Sequence, residues 1–160
     1  MTTTNGSSLG GLRVRAATPD DRNDIERLLV DSQLPTDGIE AILTARPADF
    51  VVAELRGDTG VVGVAGLEIC DDSALLRSVA VRLDLQRHHL GRQLVEHVIE
   101  RAEDSGVRSL YLLTTTAAEY FPRFGFRVID RAQVPSAIAE TIEFTSACPA
   151  SAIAMHRALS

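Results

Sequence analysis

The apolar stretch Leu75-Leu76-Arg77-Ser78-Val79-Ala80-Val81 is followed, after a short loop, by Gln86-Arg87-His88-His89-Leu90-Gly91-Arg92. A strand that enters a loop whose backbone amides open a long helix can hold a pyrophosphate, because several N–H groups converge and the helix dipole adds positive potential. Arg87 and Arg92 can add charge-assisted contacts to the phosphate oxygens. Any strand–loop–helix offers such amides, and Gly91 serves equally well as a residue that lets two elements pack closely. Adjacent residues seldom converge on one ion, so His88 and His89 are not expected to bind metal, and His88 is expected to face solvent. Cys70 and Cys148 are far apart and form no Cys-x-x-Cys, which argues against a disulfide framework or a zinc site. No metal is expected.

The elements around these residues follow from composition and periodicity. A length of 160 residues, 45% of them hydrophobic, suits one domain with a full core. Residues 1–11 are polar and glycine-rich, without the basic start and apolar stretch of a secretory signal, and are expected to form a disordered tail ahead of a domain at 12–160. Mean hydropathy is +0.06, and no apolar run is long enough to cross a bilayer. A net charge of −6 speaks against nucleic-acid and membrane-surface partners, and a cytoplasmic location is expected. The basic residues are all arginine, 16 of them, for which the composition of the source genome is the preferred reading.

Along the chain, residues 12–17 alternate as a half-buried strand does. Thr18 can cap a helix with Pro19 at its first position and Ile25, Leu28 and Leu29 on its buried face. A second helix, capped by Thr36, carries Ile39, Ile42 and Leu43 and ends before Pro47. Strands are expected at 50–55, 61–69 and 74–81, with turns at 57–60 and 71–73. Leu90, Leu94, Val98 and Ala102 mark a long helix, and 109–115 reads as a central strand buried on both sides. A short helix at 118–124, a strand from 126, a helix opened by Pro135 that carries Ile138 and Ile142, and a strand at 151–159 complete the order. The strand–helix–strand centre implies a parallel crossover.

This order, together with the 75–92 segment, resembles the GNAT superfamily of acetyl-CoA-dependent N-acetyltransferases. Its motif is an apolar strand ending in V-x-V, then Q/R-x-x-G-x-G/A at the start of the long helix. Glu119-Tyr120-Phe121-Pro122-Arg123-Phe124-Gly125-Phe126 is similar to that superfamily's helix ending in a G-F pair. The resemblance implies an α/β (α+β) fold: one mixed sheet of about seven strands flanked by helices, with a splayed parallel pair that binds acetyl-CoA. It also implies that the backbone of Val79, Ala80 and Val81 pairs with the pantetheine arm, and that the amides of Arg87, His88, His89, Leu90, Gly91 and Arg92 hold the pyrophosphate. His89 stands where the superfamily has its first motif glycine. Residues 75–81, 110–117, 141–144 and 148–152 further resemble the acetyltransferases found with arsenic-resistance genes. The L-T-T, F-F-x-x-x-G-F and C-P pattern resembles the short N-acetylglutamate synthases.

Acetyl transfer requires an acceptor amine that loses its proton, a donor for the developing oxyanion and a proton for the departing thiolate. An N–H near Val79 can be the oxyanion donor. Glu68 is the best-placed acid for the base, and a solvated strand end at a turn accounts for it equally well. Many members of the superfamily carry a tyrosine acid four residues before the glycine of the G-F pair. Phe121 occupies that position here, which leaves Tyr120, one residue off, as the candidate acid and water as the default. Tyr111 is read as a core anchor. Arg77 is read as a clamp for an acceptor's carboxylate, in preference to an ion pair with one of the chain's acids. Thr114 and Thr115 are placed at the end of the central strand, where ligands usually sit, although some of these hydroxyls can cap the next turn. Cys148 is read as a buried thiol in preference to an arsenic ligand.

The expected substrate is a small amino-acid-like amine, with an arsenic-containing one included, acetylated by direct transfer. The alternatives are an N-acetylglutamate-synthase-like activity and a CoA-binding module with little catalysis. A homodimer is left open.

Overall fold

The computed structural model describes residues 11–57, 60–86 and 89–159. Seven strands follow one another as β1 (Leu12–Ala16), β2 (Phe50–Leu55), β3 (Gly63–Cys70), β4 (Ser73–Val81), β5 (Ser109–Thr114), β6 (Arg127–Ile129) and β7 (Ile153–Ala158). They form one mixed sheet in the order β1-β2-β3-β4-β5-β7-β6. Helices α1 (Arg22–Asp31) and α2 (Ile39–Ala45) lie between β1 and β2 in the chain, α3 (Leu90–Asp104) joins β4 to β5, and α4 (Ser136–Ala139) precedes β7. Among the described residues, no helix is long and apolar enough to cross a membrane.

The chain divides into two compact units, one comprising residues up to 66 together with 78–98, the other comprising 67–77 and 99–160. In the first, β2 pairs antiparallel with both β1 and β3. Ile25, Leu28 and Leu29 of α1 and Ile39 and Leu43 of α2 pack with Phe50, Val52, Val64 and Ala80. Burying each large apolar side chain of this kind contributes about 1.5–3 kcal/mol. Gly66 sits opposite Phe50 in the ladder, and a Cβ there would meet the Phe50 ring at 2.4 Å. Only glycine leaves room for that ring.

Arg15 on β1 donates to both oxygens of Asp21, at 2.8 and 2.9 Å, and to Glu54 of β2 at 3.1 Å. The guanidinium holds the Asp21 carboxyl below the usual carboxylate range. Asp21 also accepts from the Thr18 backbone N–H, but Thr18 opens only a 3-10 turn at Pro19–Asp21, without a side-chain cap bond, and the N-cap of α1 is Asp21. The second helix departs from expectation. Gly38, at φ +83°, is its N-cap, and the Thr36 carbonyl only closes the preceding turn onto Ile39.

In the second unit, β7 pairs antiparallel with β5 along six residues and with β6 along three. β5 is central, as expected, and Leu110, Tyr111 and Leu112 are buried. Tyr111 packs with Leu75, Val134, Ile138 and Ala154, and its ring lies 4.8 Å from that of His156. β5 pairs in parallel with β4 through only Ser73↔Ser109, Ala74↔Leu110 and Leu75↔Tyr111. Three residues later, inside β4, Ser78 has φ +62°. A left-handed L-residue in a strand kinks it as a bulge does, at a cost of about 1–2 kcal/mol.

Two expected helices are shorter than their apolar spacing suggests. The 118–124 segment is a 3-10 turn, Phe121–Phe124, closed by Gly125. The helix opened by Pro135 stops at Ala139, and a π-helical turn follows at Glu143–Ala147. Hydroxyl groups explain the interruption: Thr141 Oγ1 donates to the Ile138 carbonyl at 2.7 Å and Thr145 Oγ1 to that of Thr141 at 3.0 Å. Such bonds compete with helix continuation. Ile142, expected on the buried face, is 42% exposed.

Candidate active site

The anion-binding candidates lie in the first unit. β4 ends at Val81, and Gln86 folds back so that Nε2 donates to the Val81 carbonyl at 3.1 Å. A 3-10 turn at Leu83–Leu85 shapes the loop, with Arg82 forked onto Asp84 at 2.7 and 3.1 Å. Arg87 and His88 lie outside the described residues. His89 has φ +61° and an exposed side chain, and its carbonyl receives the Gln93 N–H at 3.2 Å. It is therefore the residue that turns the chain into α3.

The N–H groups of Leu90, Gly91 and Arg92 then open a 15-residue helix, whose first turn has no acceptors within the helix itself. Leu90 is fully buried and anchors that end. Arg92 pairs with Glu96 at 3.2 Å, both exposed, an arrangement worth little and readily exchanged for a phosphate. Among the described residues, the amides at this helix start are those that could hold a pyrophosphate.

His89 occupies a conformation that glycine adopts without strain. In His89→Gly, relief of that strain is expected to offset the greater freedom of the unfolded chain, leaving stability within about 1 kcal/mol. Acetyl-CoA affinity measured by calorimetry should hold or rise, and a large loss would make the imidazole a ligand contact.

The second unit holds the charged cluster. The Arg77 side chain is 1% exposed, and Glu143 faces it at 6% exposure. Arg77 Nη1 donates to Glu68 Oε1 at 3.3 Å, and Nε lies 3.4 Å from Glu143 Oε2. Glu68 is 28% exposed. The expectation of a guanidinium presented to a ligand's carboxylate therefore gives way to one shared by two carboxylates of the chain. Burial is the reason, because a desolvated cation must be paired where it lies.

Cys148 Sγ approaches Glu143 Oε1 at 3.8 Å. Burial foremost, and then the neighbouring Glu143 carboxylate, push its thiol up to about 11. Cys148 is half-buried, where the sequence suggests a buried thiol. Among the described residues, no group of three or more His, Cys, Asp or Glu could hold a metal ion.

Thr114 Oγ1 accepts the Ala117 N–H at 2.9 Å, which is the capping use of that hydroxyl, and Thr115 is exposed just beyond β5. Tyr120 packs edge-on against Phe121 and Phe124, at 5.3 and 5.4 Å between ring centroids, with the Arg123 guanidinium 4.4 Å from its own. Glu143 was given no role from sequence. Its signal was a lone acid between Ile142 and Phe144, matching a lone arginine in another apolar run.

Residues 46–128 match the sequence profile described as an acetyltransferase (GNAT) domain. The chain is 28% identical over 128 residues to the amino-acid acetyltransferase of Aeromonas salmonicida, covering 77% of this chain and 28% of that protein. It is 36% identical over 63 residues to the ribosomal protein bS18-alanine N-acetyltransferase of Salmonella typhimurium, covering 39% of this chain and 43% of that one. The chain thus spans less than half the length of either relative. Rv2747 from Mycobacterium tuberculosis, solved in complex with CoA and NLQ, superposes with a TM-score of 0.77 at 23% identity, covering 92% of this chain and 99% of that one. N-acetylglutamate synthase from Neisseria gonorrhoeae, solved with coenzyme A and N-acetyl-glutamate, gives 0.77 at 21% identity, covering 93% and 35%. At these identities, the structural matches establish a shared fold.

Proposed function

The chain belongs to the GNAT acetyltransferase family, and on that premise we propose that it transfers the acetyl group of acetyl-CoA directly to the amine of a small amino-acid-like acceptor in a ternary complex. The observation that carries this reading is the pairing of Glu68, a partly exposed carboxylate, with a buried guanidinium that holds it in place. Acetyl-CoA supplies an activated acyl carbon and a thiolate leaving group. The amides of His89, Leu90, Gly91 and Arg92 would hold its pyrophosphate, and the backbone of Val79, Ala80 and Val81 its pantetheine arm. An N–H near Val79 would donate to the carbonyl oxygen as charge develops there. Glu68 would take the proton that the acceptor amine gives up as the N–C bond forms and the C–S bond breaks. Water would protonate the departing sulfur. Tyr120, held among aromatic rings and beside Arg123, is the candidate for that role in the chain itself.

The choice of acceptor rests on the comparisons. Glu68, Glu143 and Arg77 form one cluster of a buried guanidinium and two carboxylates, beside which the amine of an acceptor would be held. The relative named an amino-acid acetyltransferase, and the N-acetyl-glutamate in the structure of a neighbour, point to an amino acid. An arsenic-containing amino acid falls within that class, and the resemblance of residues 75–81, 110–117, 141–144 and 148–152 supports that narrower reading.

The test joins calorimetry with acetyl-CoA to thioester consumption across amino acids, organoarsenicals, spermidine and a histone-like peptide. Binding is expected, with an amino acid or organoarsenical acetylated fastest. Absence of both heat and thermal shift at millimolar acetyl-CoA would overturn the proposal. Binding without turnover would leave a CoA-binding module, and faster acetylation of spermidine or the peptide would refute the acceptor class.

A further inference from the structure

Two carboxylates on one buried guanidinium is an expensive arrangement, since removing ions from water costs several kcal/mol each. Arg77 and Glu68 alone would balance. Glu143 brings a further negative charge into the interior, on a π-helical turn of a kind that is rare in proteins and frequent at functional sites. Its two oxygens are divided: Oε2 faces Arg77 Nε and Oε1 faces the Cys148 thiol. Glu68 meets the same guanidinium through a different nitrogen, Nη1.

We propose that Glu143 is a positioning residue for the acceptor half-site, acting on Glu68 through Arg77. By sharing the guanidinium, it draws part of the cation's field away from Glu68 and fixes the direction from which Glu68 Oε1 is held. Were Glu143 neutral, Glu68 would face more of the Arg77 charge and would give up proton affinity that the reaction needs. The inference rests on Glu68 as the base of the proposed reaction. Other titratable groups beside the cluster are Cys70, which feels Glu68 and Asp71, and Cys148, which feels Glu143, Arg77 and Arg131.

The variant is Glu143→Gln, nearly isosteric and neutral, made in the full chain. Two carboxylates that share one guanidinium each raise the other's proton affinity. The acid limb of the kcat profile should therefore move to lower pH by about one unit, and the plateau should fall several-fold as the base weakens. Acetyl-CoA affinity should not change. Glu143→Asp should return most of the limb toward its original position, which a merely structural role would not produce.

A second reading needs no turnover: carbon-detected NMR titration of the Glu68 carboxyl, whose midpoint should fall in Glu143→Gln. If that variant does not fold, Glu143→Met, neutral and of similar volume, carries the test, with a fall of the Glu68 midpoint expected in the same direction. An unchanged Glu68 midpoint overturns the proposal. A lowered midpoint with turnover indifferent to Glu68→Gln keeps the electrostatic link and refutes Glu68 as the base.

Discussion

Replacing Glu68 with glutamine is expected to lower kcat by about 10²–10⁴-fold, the span that follows loss of a general base. Glutamine keeps the shape of the side chain and can still accept a hydrogen bond from Arg77 Nη1, so the guanidinium is not released. What is lost is the capacity to hold a proton. The residues proposed for acetyl-CoA, Val79 to Val81 and His89 to Arg92, are other positions, and the dissociation constant of acetyl-CoA should therefore be retained. Steady-state kinetics with the best acceptor from the substrate screen, alongside calorimetry, separates the two effects. Unchanged turnover would assign the proton to water. Loss of turnover together with loss of acetyl-CoA binding would point to a damaged fold.

The second large effect concerns stability. Arg77→Met should destabilise the protein by about 3–5 kcal/mol at pH 7, the usual consequence of removing one partner from a buried ion pair. The methionine fills much of the apolar volume, so the cost falls mainly on Glu143, left charged and almost fully buried. Its sign with pH is fixed. A buried carboxylate that has lost its cation has a folded-state pKa raised above its unfolded value of about 4.3. The penalty is therefore complete above the raised pKa and fades as pH falls toward about 4.3. Urea unfolding at pH 7 and pH 5 should show the deficit of the variant narrowing at the lower pH. Adding Glu143→Leu should recover much of the loss at pH 7. A deficit independent of pH and untouched by the second substitution would assign the cost to packing.

Several features of the fold were legible because their causes are local. The apolar spacing of Leu90, Leu94, Val98 and Ala102 needs only a helix to explain it, and the run from Ser109 to Thr114 needs only a strand buried on both faces. The 136–147 region was not legible in the same way. There the apolar spacing of Ile138 and Ile142 competes with the hydroxyls of Thr141 and Thr145, and the hydroxyls prevail. At the site, the residue types were readable and their partners were not. Arg77 stood out in an apolar run, but whether it meets a ligand or a carboxylate depends on Glu143, brought to it from a distant segment. Glu68, nine residues away across one tight turn, was the nearer clue. His89 was visible as a departure from glycine, and its left-handed φ gives that departure a physical meaning.

The ion pairs of Arg15, Arg22, Arg46, Arg77, Arg82 and Arg92 have a consequence for reactivity. Their cations are guanidinium groups, and with all 16 basic residues arginine, the sequence contains no side-chain primary amine. A guanidinium stays protonated past pH 12, so it neither attacks a thioester nor releases its carboxylate in alkaline solution. The protein can thus stand in concentrated acetyl donor without acetylation of a lysine. Its charge network should also outlast the pH near 10 at which an amino acid's amine is largely free base and at its most nucleophilic.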